Sequence, residues 1–134
     1  MRTITTALAA GLLLVALGGC GTESEPDSKP SKNENGLTPE EQASVRADAG
    51  MPEEPTGAKR TDLLAAIADV APEAVKYEDK AIDAAQNQCS AINGGANRLD
   101  WLASQRFTYK DVTTTEAQGK QLNKALVDSG FCQV

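Results

Sequence analysis

Histidine is absent from this 134-residue chain. That removes the Ser–His and Cys–His pairs of most nucleophilic catalysts, leaving general-base work to carboxylates or lysines. It also removes the imidazole that completes a usual zinc set, so no metal or cofactor is implied. Aromatic side chains are scarce: one Trp, two Tyr and two Phe. No apolar run reaches the roughly 20 residues that span about 30 Å of hydrocarbon; the segment from Ala7 to Leu17 comes nearest. Lysine and arginine number 13 against 19 acids and are spread singly, whereas nucleic-acid binding needs clustered bases. Calcium loops alternate oxygen ligands through a glycine-bearing turn, a pattern missing here. Gly94-Gly95 lacks the spacing and lysine of a phosphate loop.

What is present begins at the N-terminus. Arg2 gives a minimal positive region, the apolar stretch Ala7–Leu17 follows, and Leu17-Gly18-Gly19-Cys20 closes it with small residues. This arrangement resembles the lipobox of bacterial lipoproteins. The resemblance implies a signal peptide over 1–19, lipidation of Cys20, and a membrane anchor on the extracytoplasmic face. More than one acyl chain, each adding about 0.8 kcal/mol per buried methylene, makes such anchoring stable.

Two cysteines then remain, Cys89 and Cys132. An even number in an oxidising compartment is expected to form a disulfide; a reactive thiol, a metal pair and an intermolecular bridge are the alternatives.

Charge divides the mature chain. Residues 20–58 hold nine acids and three bases, whereas residues 59–134 hold ten acids and nine bases. The acidity therefore belongs to the first part, read as a flexible linker. From 21 to 37 it is too poor in apolar side chains to repay ordering. Thr38-Pro39-Glu40-Glu41 offers a helix cap, a first-turn proline and acids, predicting a marginal helix to about Ala49. Pro52, Pro55 and Gly57 then break the pattern. A chain of that length reaches about 35 Å from the bilayer, and its acidity holds the domain off an anionic membrane surface.

The folded part, 59–134, reads as all-α: about four short helices stapled by one disulfide. Leu63, Leu64, Ile67, Val70 and Ala71 recur at helical spacing behind a cap at Thr61 or Asp62. A second helix, from about Glu78 to Ile92, turns Ile82, Ala85, Cys89 and Ile92 to the core. Its acids Glu78, Asp79 and Asp83 share a face that could hold a cation or pair two carboxylates, but are read as a solvated face balanced by Lys76 and Lys80. A third, around Arg98–Gln105, is expected to bury Leu99 and Leu102 with Trp101 at its edge. Thr113–Thr115 caps a fourth running to about Ser129 that buries Leu122, Ala125 and Leu126, with Phe131 folding back. Phe107-Thr108-Tyr109 is too short an alternation for a sheet. Trp101, Phe107 and Tyr109 fall in the least regular stretch, where they either complete the small core or line a ligand or partner groove.

The stretch Asp83–Ile92 with Gln88-Cys89-Ser90 late in a helix, then Leu99, Arg106-Phe107-Thr108 and a terminal Phe131-Cys132, resembles the small exported actinobacterial domains called domain of unknown function 732. The resemblance covers about residues 60–133. It implies a helical, disulfide-stapled fold and carries no activity. The functional expectation is a non-catalytic cell-envelope lipoprotein that acts as a structural or protein-interaction module. A binding module for a small apolar or cell-wall-derived ligand is the alternative, and an enzyme is not expected.

Overall fold

A computed structural model describes residues 36–134. Five helices follow one another: α1 (Pro39–Asp48), α2 (Gly57–Ala68), α3 (Glu78–Asn93), α4 (Leu99–Arg106) and α5 (Glu116–Asp128). A 3-10 turn, Ala74–Tyr77, leads into α3. Among the described residues there is no strand, only a single bridge between Tyr109 and Val112 that closes the turn before α5. The all-α class and the Cys89–Cys132 disulfide, with Cα atoms 4.9 Å apart, are as expected. Cys20, the expected signal peptide over 1–19 and the part of the expected linker up to residue 35 lie outside the described residues.

The core forms where α2, α3 and α5 meet. Leu63 and Ile67 enter from α2, Ile82, Ala85 and Cys89 from α3, and Leu122 and Leu126 from α5. Phe107, fully buried at the end of α4, is the one aromatic ring at the centre. For a core this small, each buried Leu, Ile or Phe contributes about 1.5–3 kcal/mol. Ile92, in the last turn of α3, and Ala125, next to the fully buried Leu126, are only half-buried.

Two reciprocal caps fix helix starts. Thr38 Oγ1 accepts from Glu41 N at 3.3 Å while the Glu41 carboxylate accepts from Thr38 N at 2.7 Å. Thr115 and Gln118 repeat the arrangement at α5. Each satisfies two backbone donors that the first turn otherwise leaves unpaired.

Three local expectations differ from the structure. α2 begins at Gly57, a turn before the expected cap, and Thr61 lies inside it, donating to Gly57 O at 3.4 Å. Ala58, Lys59 and Arg60 are sound helix formers, and Arg60 is anchored by Asp79 at 2.7 Å and Glu78 at 3.5 Å. In α4 the buried residues are Ala103 and Ser104, while Leu99 and Leu102 are half-buried. The cause is Gly119 of α5: a Cβ there would lie 2.2 Å from Asp100 O and 2.9 Å from Ser104 N. The two helices touch backbone to backbone, so small side chains occupy the interface and the leucines are displaced to its flanks.

The third difference concerns residues 49–56, which the Pro and Gly breaks mark as spacer. They form a strap across α3. Ser90 donates to Ala49 O at 2.6 Å, Asn93 to Gly50 O at 2.8 Å, and Gln86 to Pro52 O at 3.0 Å. Pro52 and Pro55 are buried. Gly50 is required twice over, by its φ of +64° and because a Cβ would meet Asn93 Cβ at 2.7 Å. Asn93 Nδ2 also donates to Cys132 O at 2.8 Å. One amide thus clasps the strap to the C-terminal turn beside the disulfide.

Candidate partner groove

Since α1 packs against no other helix and has no buried residue, its position depends on the strap. It stands away from the core, leaving a half-open groove of about 620 Å³ between α1, the strap, the start of α2 and the C-terminal turn. Ala43 and Ala47 line it from α1, and Met51, Pro52 and Pro55 from the strap. Leu63 and Phe131 extend the apolar lining toward the core. Exposed charges complete it: Glu53, Glu54 and Asp62 against Lys59. A smaller hollow of about 280 Å³ continues past Ala43 and Glu53 to Pro39, Gln42 and Arg46.

The aromatic residues singled out by sequence do not line this groove. They are also separated from one another in role. Phe107 is core. Tyr109 packs edge-on against Tyr77, ring centroids 6.3 Å apart, and its hydroxyl donates to Ala74 O at 2.7 Å. Burial pushes the Tyr109 phenol up to about 12. Trp101 remains 37% exposed, with the Arg98 guanidinium 4.5 Å over its ring. Of the aromatics, it is Phe131 that borders the groove.

The acidic face of α3 is neutralised differently from expectation. Arg60 of α2 takes Glu78 and Asp79, and Lys80 approaches Asp83 at 3.8 Å. Lys76 turns instead to Glu73 and to Asp111. Asp111 is held below the usual carboxylate range mainly because it accepts from the Tyr77 hydroxyl at 2.8 Å, which in turn raises that phenol. Among the described residues no group of three or more Cys, Asp or Glu side chains is placed to hold a metal ion, and no helix is long and apolar enough to cross a membrane.

A buried amide network locks α3, α4 and α5. Gln88, fully buried, accepts from Arg106 at 2.5 Å and donates to Leu99 O at 3.1 Å and to Asn123 Oδ1 at 2.6 Å. Asn123 passes the chain on to Asp100 at 2.9 Å. Desolvation lowers the pKa of Arg106. Every buried side-chain polar atom among the described residues has a partner, so the network rigidifies the bundle and leaves no unsatisfied group for a ligand.

No family model matches the chain, and no match is found among curated proteins or solved structures.

Proposed function

We propose that this chain is an exported lipoprotein, anchored through Cys20, whose helical domain is a non-catalytic protein-interaction module of the cell envelope. The anchor rests on the lipobox-like Leu17–Cys20 with the apolar stretch before it, and the resemblance to domain of unknown function 732 supports export. The observation that carries the interaction reading is the groove of about 620 Å³ beside α1, a helix that contacts no other helix. A helix held clear of its own core leaves Ala43, Ala47 and the exposed Val45 free to meet another protein. A small-ligand site typically buries about 70–90% of its occupant; this groove is half open and bordered by charge, which suits a polypeptide segment better.

Fatty-acid labelling of the full chain and of Cys20→Ala tests the anchor; a Cys20→Ala protein that still labels contradicts it. Quantitative co-purification after membrane crosslinking then compares the lipidated chain with Ala43→Trp, which fills the groove. The expected result is a discrete partner lost on groove filling. Identical co-purifying proteins for both would overturn the reading.

A further inference from the structure

We infer that the groove between α1 and the C-terminal turn selects a cationic partner segment, in which lysine or arginine alternates with apolar side chains. The inference rests on the interaction reading above and names its partner class. Three acids against one base line the groove. Arg60 reaches toward Glu54 at 4.0 Å but is already committed to Glu78 and Asp79. Among the described residues neither Glu53 nor Asp62 has a basic partner, and both side chains are exposed. The apolar lining beside these carboxylates comes from the half-buried Ala43, Met51 and Phe131 over the buried Pro52, Pro55 and Leu63. An occupant therefore has to bring positive charge at the edge and apolar surface at the centre, the pairing that steers encounter and fixes register.

The same charge argument disfavours the other occupants. A second copy of residues 36–134 carries fifteen acids against ten bases, so two copies repel. The chain's own segment 21–35 is net negative, with four acids and two bases, and has almost no apolar side chain to place against Leu63. An anionic lipid surface is repelled for the same reason.

The test uses the full chain in nanodiscs of zwitterionic phosphatidylcholine, with empty nanodiscs as blank. The probe is a fluorescent, end-capped heptapeptide of alternating leucine and lysine, beside its leucine–glutamate counterpart. The lysine peptide should bind saturably and the glutamate peptide should not. The double variant Glu53→Lys/Asp62→Lys should weaken binding about tenfold, the combined effect of two exposed charge contacts reversed in sign. Asp69→Lys/Asp83→Lys makes the same change in net charge away from the groove and should stay within about twofold. Equal weakening by both double variants reduces the effect to net charge and overturns the inference, as does equal binding of both peptides or none. Circular dichroism of each variant verifies folding. Should Ala43→Trp still abolish partner co-purification while the lysine peptide fails, the interaction reading stands and the cationic class falls.

Discussion

Gly119→Ala tests the packing at its tightest point. On an exposed helix the change is stabilising by about 1 kcal/mol, because glycine is the poorer helix former. Here the new methyl would sit 2.2 Å from Asp100 O and 2.9 Å from Ser104 N, both backbone atoms that cannot swing aside. Restoring an ordinary contact of about 3.4 Å requires α4 and α5 to part by roughly 1 Å. That displacement stretches the Asn123–Asp100 bond, which joins the two helices, from 2.9 Å to a length at which a hydrogen bond no longer holds. Overpacking costs about 1–3 kcal/mol and the lost hydrogen bond about 0.5–1.5 kcal/mol. After the propensity gain, the net loss is about 2 kcal/mol. For a domain of this size the melting temperature falls by on the order of 10 °C. Thermal unfolding followed by far-UV circular dichroism measures it, with Lys120→Ala on the exposed side of the same helix as comparator, expected within about 0.5 kcal/mol of the parent. A Gly119→Ala protein that melts at or above the parent temperature refutes the close approach of α4 and α5.

Three further outcomes follow from the same geometry. Cys89→Ala/Cys132→Ala opens a 43-residue loop and should lower stability by about 4 kcal/mol in the chain-entropy account, read by urea titration against the oxidised parent; an unchanged midpoint contradicts it. Asn93→Ala removes both arms of the clasp, to Gly50 O and Cys132 O. Amide exchange in 49–56 should then accelerate far more than in α3, whereas uniform change across the domain would show that the strap is not held locally. The phenol of Tyr109 is raised by burial to about 12, so its neutral form is favoured by folding. That contribution is whole below about pH 10, where the unfolded phenol titrates, and is lost as pH rises through the folded value. In a Tyr77→Phe background, absorbance at 295 nm should show the remaining tyrosine ionising near 12; ionisation near 10 in the folded chain contradicts its burial.

Helix periodicity and cysteine count carry much of this fold. Ile82, Ala85 and Cys89 at helical spacing predict the buried face of α3, and Thr38 and Thr115 mark their helix starts by cap chemistry alone. The strap is illegible for a physical reason: it is held through its own carbonyls at Ala49, Gly50 and Pro52, which every residue possesses, so no side chain in it announces the contact. Its prolines read as breaks although they are buried. The α4–α5 contact was carried by an absence of side chain at Gly119, a residue whose only signal is that a glycine inside an apolar helical pattern often has a packing reason. Leu99 and Leu102 are apolar and therefore expected inside, yet helices this close leave room only for Ala103 and Ser104. The groove depends on the strap and on the position of Phe131, neither of which is local in sequence.

Photo-crosslinking in intact cells bears most directly on the interaction reading. A photoreactive residue placed at Ala47, inside the groove, and another at Lys124, on the exposed side of α5, in the full chain give the contrast. The account predicts a discrete adduct from position 47 that is absent from position 124 and lost when Ala43→Trp fills the groove. Adducts of equal pattern from both positions, or none from position 47, would contradict it.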